Sequence, residues 1–261
     1  MNQRIFTDQL HNRVAVSFPP QRIISLVPSQ TELLADLGLE SRVVGITKFC
    51  VRPAGWLKSK TVVGGTKKFN IDVIRSLKPD LIIGNKEENE QEGIIRLSNE
   101  FPVWMSDVIT LNDAQEMILG IGDVTDTGKH ANELAIQIND SFRNFEKVKS
   151  LKVLYLIWKK PWMAAGTETF INAMLIKAGF SNALSKSRYP ALTDLEVSLL
   201  NPEVIFLSSE PYPFSEPDKV HLHALVPDAK IVLVDGQVFS WYGSRLLKFT
   251  RYVNDLTLQL K

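Results

Sequence analysis

A chain of 261 residues with 44% apolar and 23% charged side chains has the make-up of a soluble protein able to bury a full core, and its length suits two lobes of about 120 residues each. Thirty basic against 29 acidic residues leave no bulk field for nucleic acid or an anionic membrane, so neither is an expected partner. The single cysteine, Cys50, excludes an internal disulfide and a thiolate metal cluster and reads as a small buried or half-exposed thiol rather than a catalytic one.

The amino terminus MNQRIFTDQLHNRVAVSF has no apolar run of signal-peptide length, and no segment reaches about eighteen uncharged apolar residues. Taken as written, the chain is expected in the cytoplasm; a start further upstream would make it periplasmic or surface-anchored. Residues 4–18 alternate loosely around a polar centre, a small hairpin. RIISLVP (22–28) is a first core strand, and SQTELLADLG (29–38) a helix with Ser29 as cap, Glu32 three residues on as its box partner, and Gly38 as stop. VVGIT (43–47) is a second strand, followed by a long loop and the helix IDVIRSL (71–77). LKPDLIIG (77–84) turns into a buried strand. NKEENEQEGIIRLSNE (85–100) reads as a helix whose Glu87, Glu88, Glu90 and Glu92 suit the positive end of its dipole. FPVWMS (101–106) is a strand and LNDAQEMILGIGDV (111–124) a helix.

From Asp126 to about Ser150 the apolar positions Ala131, Leu134, Ala135, Ile138, Phe142, Phe145 and Val148 recur in steps of three and four, which marks one face of a long helix. Asp126 or Thr127 suits its first turn, and Lys147, Lys149 and Lys152 suit its last. Such a helix spans roughly 30 Å. It divides the chain into an N-terminal lobe (1–124), a linking backbone helix (125–150) and a C-terminal lobe (151–261).

After it the pattern restarts. KVLYLIW (152–158) is a strand, GTETFINAMLIKAG (166–179) a helix capped at Thr167 or Thr169 and stopped by Gly179, and NPEVIFLS (201–208) and AKIVLVD (229–235) are strands. SRLLKFTRYVNDLTLQL (244–260) closes as an amphipathic helix. RIISLVPSQTELLADLG parallels KVLYLIW with TETFINAMLIKAG, SLKPDLIIG parallels LLNPEVIFLS, and FPVWMSD parallels AKIVLVDG, the mark of an internal repeat. The expected fold class is α/β, with two parallel-sheet Rossmann-like lobes joined by one long backbone helix. Ligand sites belong beyond the carboxyl ends of the strands, in a cleft between the lobes.

The segments FTDQL…PPQRIISLVPSQTELLADLG, VVGIT, VGGTKKFNIDVIRSLKPDLII, AAGTETFINAMLIKAGF and YPALTDLEVSLLNPEVIFLSSEP resemble the helical-backbone (class III) substrate-binding proteins of ABC importers for cobalamin, ferric siderophores, haem and some metals. The resemblance covers nearly the whole chain and is nearest to the cobalamin- and siderophore-binding branch. It implies a monomer that captures a metal-chelate ligand for an ABC permease, with no catalytic residue, no resident cofactor and no bound metal of its own.

Carried over by position, the family's cleft tyrosine after the second strand is Phe49, and its GG-x-x-x-N loop is Gly64 to Asn70, which places Thr66, Lys67, Lys68 and Phe69 in the ligand loop. Its C-lobe loop is Pro161, Trp162 and Met163, its later turn aromatic is Tyr189, and the loop before the last helix runs from Phe239 to Trp241 and Tyr242. The chain departs from the pattern where a family tryptophan is Thr66 and another is Val238. In the family one glutamate near the run at Glu87 and one on the opposite lobe dock onto a permease; the second position is Ser240 here.

Read from their chemistry, Trp158, Trp162, Tyr189, Trp241 and Tyr242 sit at strand ends, where they stack a flat ligand or cap the lobe cores. Capping is the favoured reading for Trp158, which continues a strand. Lys67 and Lys68, with Lys159 and Lys160, make two basic pairs that attract an anionic ligand or are solvated surface lysines. His221 and His223 have a spacing that binds metal on a strand, but no Asp or Glu–His partner set accompanies them, and a surface pair is expected. Nucleotide, hydrolase and zinc-protease motifs are absent. The alternatives to import are a cytoplasmic carrier or sensor of the same fold, and an enzyme acting on a corrinoid or siderophore.

Overall fold

The computed structural model describes residues 2–147 and 150–260, and in it the chain forms two units, each around its own sheet. The first comprises the chain through Val108, Asn112–Asp140 and Tyr242–Arg245; the second comprises Ile109–Leu111, Ser141–Trp241 and the chain from Leu246 onward.

The first unit begins with the antiparallel hairpin β1 (Asn2–Thr7) and β2 (Arg13–Phe18). Its turn is tied by Asp8, whose Oδ1 accepts from the backbone N–H of Leu10 at 2.9 Å and of Asn12 at 2.7 Å. Then follow β3 (Ile23–Ser25), α1 (Pro28–Asp36), β4 (Val43–Ile46), α2 (Trp56–Ser59), β5 (Thr61–Val62), α3 (Ile71–Leu77), β6 (Leu81–Asn85), α4 (Gln91–Ser98) and β7 (Val103–Ser106). The strands form a parallel sheet in the order β5-β4-β3-β6-β7. Ile23, Ile24, Leu81, Ile82 and Ile83 are all fully buried, as continuous apolar runs covered on both faces should be.

Local chemistry corrects two expectations here. Helix α1 is not capped by Ser29: it starts at Pro28 after an extended Val27, with no side-chain cap. Proline at a first position needs no N–H partner and has its φ preset, and Glu32 is engaged elsewhere. Helix α4 begins only at Gln91, because Asn85 Oδ1 accepts from the N–H groups of Glu87 and Glu88 and folds them into a turn. Of the acidic run, Glu92 alone lies in the first helical turn.

Two helices follow, α5 (Leu111–Thr125) and α6 (Gly128–Arg143), of which Asn112–Asp140 belongs to the first unit. Asp126, at φ 61°, breaks the chain between them. They run back along each other: Gln115 Nε2 donates to Asn139 Oδ1 at 2.7 Å, and a Cβ on Gly122 would stand 2.3 Å from that of Ala131. The mid-chain helix expected from Asp126 to about Ser150 is therefore shorter, ending at Arg143, about 24 Å at the standard rise. Val148 and Lys149 of that expectation lie outside the described residues.

The second unit contains β8 (Lys152–Trp158), β9 (Trp162–Ala164), α7 (Phe170–Ala178), β10 (Ser181–Asn182), β11 (Ala191–Leu192), α8 (Asp194–Leu200), β12 (Val204–Ser208), α9 (Glu216–Leu225), β13 (Lys230–Val234), α10 (Gly236–Ser240) and α11 (Leu246–Leu260). The sheet order is β11-β9-β8-β12-β13, with β10 beside β8. Strands β8, β10, β12 and β13 are parallel, while β9 and β11 add an antiparallel edge. Thr169 caps α7 by accepting from Asn172 N–H at 3.1 Å, and Gly179, at φ 103°, stops it. Tyr155, Phe206, Phe239 and Phe249 meet as tilted and edge-on rings 5.3–6.3 Å apart and fill the core between the sheet and α11.

The internal repeat survives in backbone detail. Helix α3 ends on Lys78 at φ 45° and α8 on Asn201 at φ 43°. Each is followed by a proline and then by a buried strand, the same left-handed corner twice.

Candidate functional site

In the first unit the strands end, at their carboxyl side, on a row of buried polar residues: Ser25, Thr47, Asn85 and Ser106. Helix α1 adds Gln30, whose amide donates to Ser106 Oγ at 2.6 Å, and Thr31, whose hydroxyl donates to Ser25 Oγ at 2.8 Å. Cys50 lies beneath, 3.0 Å from Thr31 Oγ1 and 3.2 Å from Thr47 Oγ1. It is fully buried, and burial pushes its thiol above the ordinary range, the environment of a packing group.

The glycine loop follows β5 and accepts from the Lys48 N–H through the Gly64 carbonyl at 2.8 Å. Gly64, at φ 112°, and the Gly65 N–H bond to the Lys68 carbonyl at 2.8 Å make a tight turn closed by a bridge between Gly64 and Phe69. A Cβ at Gly64 would stand 2.5 Å from that carbonyl oxygen. Asn89 Nδ2 donates to the Thr66 carbonyl at 3.0 Å, and Lys67 Nζ to the Glu87 carbonyl. The turn is thereby clipped to the loop after β6. Thr66 is half-buried while Lys67 and Lys68 stand exposed. Phe49 is 51% exposed, with the Lys48 ammonium 5.1 Å from its ring centre. Phe69 does not join this rim, because its ring packs inward on the core formed by Ile24, Ile74, Ile82 and Leu97, against Gly93.

In the second unit the aromatic residues are placed in the reverse of the expected order. Trp162 is 4% exposed, a core residue of β9. Its Nε1 donates to Asp194 Oδ1 at 2.6 Å, and its ring lies parallel to Phe214 at 6.5 Å and edge-on to His221 at 5.5 Å. Trp241 is also buried and donates from Nε1 to Glu210 Oε1 at 2.9 Å. Met163 and Tyr189 are half-buried, and Tyr242, the first residue of the stretch that belongs to the first unit, is buried. Trp158, favoured as a core cap, is 39% exposed, the one tryptophan of the five with substantial surface.

Lys159 is engaged within its own unit. Its ammonium is 2.6 Å from Asp218 Oδ1, with side chains 15% and 6% exposed, and it also lies 5.1 Å over Trp162. Burial alone would push the Asp218 carboxyl up, but hydrogen bonds from Lys159 and Ser215 outweigh it and hold the carboxyl below the usual range. The Trp162 indole, helped by His221, does the same for Asp194. His221 and His223 are on helix α9 rather than a strand, started by the Ser215–Asp218 capping box. Two residues apart on a helix, they point about 200° apart and cannot share a metal. Among the described residues no three His, Cys, Asp or Glu side chains gather as a metal site needs.

Sequence reasoning missed Tyr212, Phe214, Asp194 and Asp218. A signal for the first two was present, since SEPYPFS (209–215) alternates proline with aromatic residues directly after a buried strand.

Residues 23–223 match the model of a family described as periplasmic binding protein. The chain belongs to the periplasmic binding protein family. A Bacillus subtilis (strain 168) relative, the uncharacterized ABC transporter substrate-binding lipoprotein YvrC, is 28% identical over 214 residues, 76% of this chain and 67% of its own length. The vitamin B12-binding protein of Vibrio cholerae is 26% identical over 202 residues, 75% of this chain and 73% of its own. In fold, the petrobactin-binding protein YclQ of Bacillus subtilis matches with a TM-score of 0.78 at 19% identity, covering 100% of this chain and 99% of that one. This periplasmic binding protein is thus a substrate-binding protein of the ABC import type and not an enzyme. Among its described residues no helix is long and apolar enough to cross a membrane.

Proposed function

We propose that this periplasmic binding protein captures a corrinoid, cobalamin foremost, and presents it to an ABC permease outside the cytoplasmic membrane. The observation that carries the reading is the relationship to a vitamin B12-binding protein over about three quarters of both chains. The carboxyl rims of the two sheets support it. One presents Phe49, Thr66, Lys67 and Lys68; at the end of the other, Met163 pairs with Trp158, with Trp162 and Lys159 as packed supports beneath, while Tyr189 lies lower on the sheet edge, between residues bonded to Ala164 and Gly166. Trp241 and Tyr242 sit where the chain passes from one unit to the other.

A ferric siderophore is the second reading. It is favoured by Thr66 standing where the corrinoid binders of the family carry a tryptophan, with two exposed lysines beside it, a rim suited to an anionic chelate. Thermal-shift and calorimetric titrations with cyanocobalamin, haemin and a ferric siderophore distinguish them. A ligand at a hundred times its Kd should add about 2.7 kcal/mol of stability. Binding of cyanocobalamin alone supports the first reading, and of the siderophore alone the second. A flat response to all three would sink both. Cell fractionation then separates an importer from a cytoplasmic carrier of the same fold.

A further inference from the structure

We propose that Trp158 and Tyr212 form a rigid stacking face for a flat, conjugated part of the ligand, and so bias this protein toward ring-bearing chelates over saturated ones. The proposal rests on the reading that the chain binds a metal chelate, and it adds a contact at positions that are not among the ligand residues carried over from the family.

Trp158 ends β8, and Tyr212 and Phe214 follow the end of β12, so all three lie at the carboxyl rim where parallel α/β sheets take their ligands. The Trp158 ring packs edge-on against Tyr212 at 5.4 Å, Tyr212 against Phe214 at 4.8 Å, and Phe214 lies parallel to the buried Trp162 at 6.5 Å. A ladder of four rings therefore runs from the core to the one tryptophan left 39% exposed.

The loop that carries the ladder is held along its length. At its start Glu210 accepts from Trp241 Nε1 at 2.9 Å and from Gln237 Nε2 at 3.2 Å. At its end Ser215 and Asp218 close the cap of α9, and Asp218 is pinned by Lys159. Between them Pro211 and Pro213 fix the backbone on either side of Tyr212. An aromatic face held in this way loses little freedom when a ligand covers it.

The recognised chemistry is a delocalised plane: the corrin of cobalamin, a porphyrin, or the catechol rings of a ferric tricatecholate. A ferric trihydroxamate, whose chelating groups carry no aromatic ring, gains nothing from it. The test uses the full chain with these four probes and two readouts, affinity and iodide quenching of tryptophan fluorescence. Because the other four tryptophans are buried, iodide reports mainly on Trp158.

A bound ring-bearing probe should shield that quenching. Trp158→Ala and Tyr212→Ala should each weaken its binding roughly five- to a hundredfold, whereas Trp158→Phe should retain most of it, which separates loss of a ring from loss of fold. Unchanged affinity in Trp158→Ala, undiminished quenching in the complex, or a preference for the trihydroxamate would overturn the proposal while leaving the binding function intact. A wild-type protein that binds none of the four would defeat the binding function and this inference together.

Discussion

Arg245 holds Glu32 from 213 positions away, through Nε to Oε2 at 2.8 Å and Nη2 to Oε1 at 2.6 Å. With side chains 6% and 13% exposed, the pair is screened little by solvent, and removing one partner strands a charge. Arg245→Ala should lower stability by about 3–5 kcal/mol, while Glu32→Leu with Arg245→Met should recover most of the loss. Urea unfolding of the two variants checks it; equal losses would show that packing, not charge, dominates there.

Acid should find the second unit through Asp218. Its carboxyl is depressed in the folded state, so its contribution is present above the unfolded value of about 3.9 and is lost as pH falls through the lower folded value. Stability should hold from neutral pH to about pH 5 and decline from about pH 4 downward. Asp218→Asn should already be weaker at neutral pH by about 3 kcal/mol, because it leaves the Lys159 ammonium poorly paired, and should show a shallower acid slope. Denaturation midpoints between pH 7 and 3 decide.

Trp162 should act on stability before it acts on ligand. Truncation to Ala should cost about 3–5 kcal/mol, since the ring lies in the core and bonds Asp194. Trp162→Phe keeps most of the packing and should lose only about 1 kcal/mol with the indole bond. Similar losses in both variants would mean the hydrogen bond, not the ring, is the larger contribution.

Lys67→Ala with Lys68→Ala should slow association of an anionic ligand and leave its dissociation rate nearly unchanged, because exposed rim charges steer encounter and are screened by salt. Stopped-flow rates at low and high salt test this. A rate loss that persists at high salt would mean the lysines touch the bound ligand.

Gly64→Ala should disorder the glycine loop, since the new methyl would meet the Lys68 carbonyl at a φ of 112°, a backbone region costing about 1–3 kcal/mol for other residues. Amide exchange between residues 64 and 70 should rise while the sheet beneath stays protected.

Where the signal was local, the sequence was readable. Helix α3 and strand β8 stand at the residues their apolar periods mark, 71–77 and 152–158, and Thr169 and Gly179 bound α7 as cap and stop. The failures share a distant cause. Glu32 has the spacing of a capping-box partner, but its carboxylate goes to Arg245, which no window around it contains. The apolar face from Ala131 to Ile138 fits one long helix equally well whether it runs on or packs against α5, and the Gly122–Ala131 contact belongs to the second case. Trp162 and Trp158 look alike as loop-edge aromatics. Only the antiparallel strand β9, with Asp194 and Phe214 brought from later in the chain, buries one and leaves the other open.

The first unit is assembled from separated stretches of chain, its last piece being Tyr242–Arg245. During synthesis Glu32 therefore precedes its cation by 213 residues, roughly ten to forty seconds at 5–20 residues per second. Throughout that interval a nascent α1 carries a carboxylate without its guanidinium, and the first unit lacks its last piece until the chain reaches Arg245. A fragment cut after Asp140 would reproduce that immature species, with its stability improving when a peptide carrying residues 242–245 is supplied.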